Sequence, residues 1–379
     1  MKVVIAPDSF KESLTAKEVC QAIESGFRRV WADSEFVHVP VADGGEGTVQ
    51  SLVDATQGKL VHLAVTGPLG NSVDAFYGLL GDNQTAVIEM AAASGLHHVS
   101  LSQRDPKLTT SFGTGQLINH ALEHGARKLI IGLGGSATND GGVGMMAALG
   151  AKFLNQNGQP IALNGGGLSE LSHIDLGDLN TKLAECEILV ACDVDNPLCG
   201  TKGASATFGP QKGATEADIR LLDNNLNHYG QLIRQQLGRD VLSKEGAGAA
   251  GGMGAALLAF TDAKLQPGID IVLETVNLKD QLHNADLVIT GEGRIDWQTA
   301  HGKTPMGVAV LAKQFDLPVI ALAGCVGENY QAAYQCGIDA VFAAVPRALD
   351  LSTAFQEAGT NLTNLSENVA RLWSVNLAK

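Results

Sequence analysis

The sequence predicts an α/β protein of two domains, and three observations predict it. Short β-branched runs at both ends of the chain are each followed by a polar or glycine-bearing loop and then helical sequence, the rhythm of a parallel sheet. The segment from residue 59 to 90 instead alternates in period two between turn residues, as antiparallel hairpins do. An apolar content of 45% over 379 residues is ample for two cores. The division expected is a discontinuous parallel α/β domain, residues 1–60 plus 284–379, and an inserted mixed α/β domain, residues 61–283. A cleft between them is the expected place for a ligand.

The elements follow in order. Residues 2–6 form the first strand. Thr15, three positions before Glu18, makes a capping box that opens a helix to about Arg29. Residues 36–41 read as the second strand, and 48–56 as the helix after a loop at Asp43. Strands follow at 60–65, 73–80 and 85–90, broken by Thr66-Gly67-Pro68 and Gly81-Asp82-Asn83. Next come a helix at 115–124, a strand at 128–131, a small-residue helix after Asp140 and a strand at 187–191. A long helix at 217–237 with one polar face precedes a small-residue helix at 248–260. The opening rhythm returns with a strand at 286–290, a glycine-rich loop, and a helix with Pro305 in its first turn. Strands at 318–323 and 339–344 and a helix at 351–373 close the chain.

Composition narrows the partners. Twenty-six Lys and Arg against 40 Asp and Glu give a net charge of −14, which offers no general attraction for nucleic acid or anionic lipid. An anion must therefore be held locally, by backbone amides, a few cations or a metal ion. No run of about 18 apolar residues exists, so no membrane span is expected. The first residues lack the apolar stretch of a signal peptide. Six cysteines without a Cys-x-x-Cys pair exclude a zinc ribbon and a thioredoxin motif, and suit buried thiols in a reducing cytosol. A cytoplasmic protein, monomer or homodimer, is expected. Glycine is in excess: 45 residues, about 12% of the chain against a usual ~7%.

Five segments share one design, an apolar strand running into Gly, Asp, Glu or Asn before a helix, which is where ligands collect in parallel α/β sheets. They begin at Asp8, Asp43, Gly132, Asp193 and Gly291. Each alone would pass for an ordinary turn or helix cap. The segment 132–142 is the best phosphate cradle, with bare amides at its glycines and a helix start after Asp140. It also fits G-x-G-x-x-A, but no acid follows between Asp140 and Glu170, so a dinucleotide site is not supported. A second match at 246–251 lacks a strand before it. Gly302-Lys303-Thr304 resembles the end of a P-loop, with Trp297 where its first glycine should be. His120 and His124 stand i, i+4 without the glutamate of a zinc protease, and a partly exposed helix face accounts for them.

Cations are scarce, yet Lys11, Lys202, Lys212, Arg294 and Lys303 all fall in such loops. Arg holds a carboxylate bidentately, while Lys serves as a point charge on phosphate. Asp43, Glu46, Asp193, Asp195, Glu292 and Asp296 would suit Mg²⁺ shared with phosphates, or a base for a hydroxyl. The residues describe a two-domain enzyme binding a polyanion with Mg²⁺, with phosphoryl transfer as the leading class.

At these segments the chain resembles the type I glycerate kinases of bacteria, essentially end to end. The resemblance is carried by Ala6-Pro7-Asp8-Ser9-Phe10-Lys11, Ala42-Asp43-Gly44-Gly45-Glu46-Gly47-Thr48 and the run from Gly134 to Gly142. It is carried further by Cys192-Asp193-Val194-Asp195-Asn196-Pro197-Leu198, Phe208-Gly209-Pro210-Gln211-Lys212-Gly213-Ala214 and the run from Ile289 to Asp296. It implies ATP-dependent phosphorylation of D-glycerate, usually to 2-phosphoglycerate in glyoxylate or sugar-acid breakdown, on two α/β domains of which one is flavodoxin-like. Individual roles are assigned from chemistry. Gly134, Gly135, Ser136, Thr138 and Asn139 with Lys212 would hold the ATP phosphates, and Asp193 and Glu292 would sit near Mg²⁺. Arg294 or Lys11 would take the glycerate carboxylate, and Asp296 or Asp43 the hydroxyl proton. A sugar-acid phosphatase or isomerase, or a non-catalytic ligand-binding regulator, stands as the alternative.

Overall fold

Thr15 and Glu18 form the capping box their spacing predicts. Glu18 N donates to Thr15 Oγ1 at 3.2 Å and Thr15 N to Glu18 Oε2 at 2.8 Å, starting the helix Ala16–Arg28. The computed structural model describes residues 1–300 and 302–377. Its chain divides into two units. The first comprises Met1–Asp43, Gln50–Gln57 and the chain from Ile269, and the second comprises Gly44–Val49 and Gly58–Gly268.

Thirteen strands are formed by the described residues. They are β1 Lys2–Ile5, β2 Glu35–His38, β3 Lys59–Thr66, β4 Ser72–Leu79, β5 Thr85–Glu89, β6 Lys128–Gly132, β7 Lys152–Leu154, β8 His173–Asp175, β9 Glu187–Ala191, β10 Lys264–Gln266, β11 Leu287–Ile295, β12 Val319–Val326 and β13 Ala340–Ala343.

In the first unit the strand order is β2-β1-β11-β12-β13, with every pair parallel. Counted within the unit this is 2-1-3-4-5, the flavodoxin-like doubly wound order. The order reverses between β1 and β11, so the carboxyl ends of these two strands frame the crevice where such sheets bind ligands. Val3, Ile5, Leu287, Ile289 and Leu322 build the core with Val19, Ile23 and Phe27 of the helix Ala16–Arg28 and with Leu362 and Val369 of the helix Ala358–Leu377. The two helices touch through backbone: a Cβ on Gly26 would lie 2.2 Å from Thr363 O. Gly26→Ala is therefore expected to cost about 1–3 kcal/mol by overpacking, more than the ~1 kcal/mol that helix propensity returns. A lowered urea midpoint checks this, and an unchanged one would show that the helices part freely.

The second unit holds the order β10-β9-β6-β5-β4-β3. β3–β4 and β4–β5 are antiparallel, as the alternation predicts, and β5, β6, β9 and β10 run parallel. A small antiparallel pair, β7–β8, adds to it. A parallel α/β unit and a mixed one are thus present, as expected from the sequence.

Several expected elements differ. The glycine-rich loop after residue 290 is strand: β11 continues to Ile295, with Glu292 opposite Ala323 and Arg294 opposite Cys325. Gly291 permits this, since a Cβ there would lie 1.9 Å from Leu322 O. Alternating Gly and charge hid the strand because both are depleted in strands. The second strand stops at His38, short of Val41. The helix after Asp140 is only Val143–Ala148. The helix Ala249–Phe260 is broken where Ala250, Gly251 and Gly252 take φ of 52°, 68° and 94°. The closing helix is two, Leu351–Gln356 and Ala358–Leu377. No described helix is long and apolar enough to cross a membrane.

Candidate active site

In the first unit, a cavity of about 760 Å³ opens at the carboxyl ends of β1 and β11, the switch point of the sheet. One wall is charged, with Asp8, Lys11, Asp43, Glu292, Arg294 and Lys303; Phe10, Val345 and Phe355 contribute apolar surface.

Asp8 and Glu292 are the buried acids of this wall, 7% and 8% exposed. Asp8 Oδ1 accepts from Ser9 N at 2.6 Å and from Ser9 Oγ at 3.2 Å, and Oδ2 accepts from Thr304 Oγ1 at 2.9 Å. Glu292 Oε1 accepts from Thr299 Oγ1 at 2.6 Å, and Oε2 lies 3.5 Å from Lys303 Nζ. Burial, with the charge of Asp43 added, pushes the Asp8 carboxyl up to about 6 against the opposing hydrogen bonds of Thr304 and Ser9. Burial likewise raises Glu292 to about 6; the charge of Asp8 adds to this, while Thr299 and Lys303 oppose it.

Of the residues expected here, Lys11, Asp43, Glu292 and Arg294 meet on one cavity. Lys11 and Arg294 are exposed and Asp43 half-buried. Asp296 turns back on its own segment: Oδ2 sits 3.2 Å from Arg294 Nε and Oδ1 accepts from Gln298 N at 2.9 Å. Asp8, Thr299 and Thr304 had no assigned role. Asp8 stood in a motif that marked it, but the threonines carry no sequence signal because they meet their carboxylates only through the fold.

In the second unit, Gly134, Gly135 and Ser136 line a smaller cavity of about 190 Å³ with Gly44, Gly45, Asp193 and Gln211. Gly134 and Gly135 are exposed at the tip of the segment that follows β6, whereas Thr138 and Asn139 are fully enclosed. Asn139 Nδ2 donates to Ser205 Oγ at 3.0 Å. Lys212 is 2% exposed and approaches the loop from within the protein, its Nζ donating to Ser136 Oγ at 2.8 Å and Thr138 O at 2.7 Å. Burial lowers its ammonium to about 7, with the charge of Asp140 opposing.

The helix start after Asp140 is already satisfied internally. Asp140, fully buried, accepts from Gly142 N at 3.0 Å and Gly144 N at 3.3 Å, and from Ser111 N at 2.8 Å and Ser111 Oγ at 2.7 Å. The anion-facing helix end read from the sequence is thus corrected: a carboxylate of the chain occupies it. The exposed amides lie at the glycine tip instead. Asp193 is exposed, and its Oδ1 accepts from Gly268 N at 2.9 Å. Glu89, also of this unit, holds the first turn of the helix Thr48–Thr56 by accepting from Val49 N at 2.9 Å.

Asp193 and Glu292, expected near one metal ion, belong to different units. Among the described residues no group of three or more His, Cys, Asp or Glu is gathered for a metal. A Mg²⁺ held largely by phosphates and water needs just one or two carboxylates. His120 and His124 stack at 3.9 Å, with His120 Nδ1 3.1 Å from Tyr77 OH, the helix-face reading of that pair.

The model of the glycerate kinase family matches residues 3–374. A glycerate kinase of Bacillus subtilis (strain 168) is 54% identical over 379 residues, covering 100% of this chain and 99% of its own. A glycerate 2-kinase of Escherichia coli (strain K12) is 55% identical over 377 residues, again covering 100% and 99%. The crystal structure assigned to glycerate kinase 2 of Salmonella typhimurium LT2 superposes with a TM-score of 0.94 at 54% identity, with all of both chains covered.

Proposed function

The chain belongs to the glycerate kinase family, phosphotransferases that act on an alcohol group, and from that premise we propose that it transfers the γ-phosphoryl group of ATP to the 2-hydroxyl of D-glycerate. The product is then 2-phosphoglycerate, formed in the cytoplasm during breakdown of glyoxylate or sugar acids. The observation that carries this reading is the charged wall of the first unit's cavity. Three cations and four carboxylates at a sheet switch point can hold a small anion and take a proton from its hydroxyl. The name of the Escherichia coli relative supports the 2-position.

Arg294, with Lys11 beside it, takes the glycerate carboxylate, the guanidinium offering the planar fork that a carboxylate fits. A carboxylate of the same wall accepts the hydroxyl proton. The ATP phosphates lie on the exposed amides of Gly134 and Gly135 with Ser136, in a loop that Lys212 and Asn139 brace from behind. Backbone amides suit a chain of net charge −14, whose overall field repels both substrates. Glu292 or Asp193 would be the protein carboxylate for a Mg²⁺ brought with the nucleotide, and the charge neutralisation such an ion supplies would act on the phosphates.

ADP release on mixing the protein with MgATP and D-glycerate tests this, with the product read by phosphorus NMR. Phosphate on carbon 2 couples to the single hydrogen of that carbon, and on carbon 3 to a pair. ADP release no faster than the glycerate-free blank would sink the reading, and coupling to a pair of hydrogens would move the reaction to carbon 3.

A further inference from the structure

We propose that Asp8 is the general base of this transfer, taking the hydroxyl proton of glycerate as that oxygen attacks phosphorus; the assignment rests on the glycerate kinase reading above. Asp8 follows β1 at the point where the sheet order reverses, and it lines the cavity while being itself buried. Its Oδ1 is filled by the amide and hydroxyl of Ser9. Oδ2 receives the Thr304 hydroxyl, and a carboxylate oxygen accommodates a second donor, so it can still accept the substrate's proton.

The neighbouring acids suit the task less well. Glu292 keeps an acceptor position on each oxygen too, but the Lys303 ammonium pairs with it and works against its basicity, and Asp296 is held by Arg294 and Gln298 N. Among the described residues Asp8 has no ion-pair partner. The other charged groups on the cavity are Glu12, Asp43 and Glu292, all acidic, and Lys11, Arg294 and Lys303.

The step balances within the two substrates. The O–H bond of the glycerate hydroxyl breaks and its proton passes to Asp8 Oδ2. The oxygen bonds the γ-phosphorus, the bond from that phosphorus to the β–γ bridging oxygen breaks, and ADP leaves. Asp8 then returns its proton to water.

The test is ADP release at pH 8 for wild type, Asp8→Asn, Asp8→Glu and Thr304→Val, with thermal melts of each. Asp8→Asn should lower kcat about 10²–10⁴-fold, with little change in KM for glycerate. Its melting temperature at pH 8 should be no lower, since a neutral amide removes a buried charge. Asp8→Glu should recover part of the loss. Thr304→Val removes the hydrogen bond that aims Asp8 Oδ2, so its kcat should fall by less than that of Asp8→Asn, with KM for glycerate little changed. Asp8→Asn activity within about fivefold of wild type would overturn the assignment alone. If Asp8→Asn fails to fold, an unchanged kcat in Thr304→Val overturns it instead. A wild type silent on glycerate would overturn the kinase reading, and this assignment with it.

Discussion

Lys212→Met is expected to lower the stability of the chain by about 2–4 kcal/mol at pH 8 and to widen that deficit as pH rises. The amine is enclosed and donates to Ser136 Oγ and Thr138 O, which its neutral form can still do at pH 8, so methionine leaves both acceptors without their donor, at about 1–3 kcal/mol each. Removing the cost of deprotonating and burying the lysine returns part of this. The pH dependence follows from the lowered pKa. The native lysine loses its proton near 7, the unfolded one near 10.5, so between these values the unfolded chain binds the extra proton. Stability contributed by Lys212 therefore rises with pH across that window and is lost as pH falls through about 7. Methionine has no such slope. The gap between the urea midpoints of wild type and variant should grow by roughly 1 kcal/mol per pH unit from 7.5 to 9. A gap constant with pH would mean that the native amine reaches water. The same substitution frees the glycine tip from its brace, so KM for ATP should rise as well.

The features legible in the sequence were those decided by near neighbours. The Thr15–Glu18 box spans three residues, and the alternation of residues 59–90 states its own period, so the first helix and the antiparallel strands β3 to β5 followed. The cavity wall was half legible. Lys11, Asp43, Glu292 and Arg294 stood out because charges are rare among so many glycines and apolar residues. What escaped was set by distance along the chain. Thr304 meets Asp8 across 296 positions and Lys212 meets Ser136 across 76, and no spacing rule reports such pairs. Burial was equally hidden. Asp140 and Lys212 carry the residue types of a phosphate site, but the fold encloses both and uses them to hold a loop together. The strand character of residues 291–295 was masked for a different reason. It rests on glycine admitting a neighbouring backbone, a property of the pair β11–β12 and not of either segment.

Arg294→Ala is expected to raise KM for glycerate roughly 10–100-fold while leaving KM for ATP unchanged, because a charge-assisted hydrogen bond is worth about 1.5–3 kcal/mol. Two features prepare the side chain for a carboxylate. It leaves β11 on the cavity wall, and Asp296 Oδ2 fixes its Nε at 3.2 Å while being anchored itself by Gln298 N. Its terminal nitrogens are thereby oriented before the substrate arrives, which lessens the ordering cost of binding. Arg294→Lys should recover only part of the loss, since an ammonium keeps the charge but not the fork. Stability should change by less than about 1 kcal/mol, as the Arg294–Asp296 pair is largely solvated on the arginine side. The split between kcat and KM decides the role. A carboxylate far from the transferring group is bound equally in ground and transition states, so its loss falls on KM. An equal fall in kcat and kcat/KM would instead place Arg294 on the transferring phosphoryl group, where its charge would matter only in the transition state.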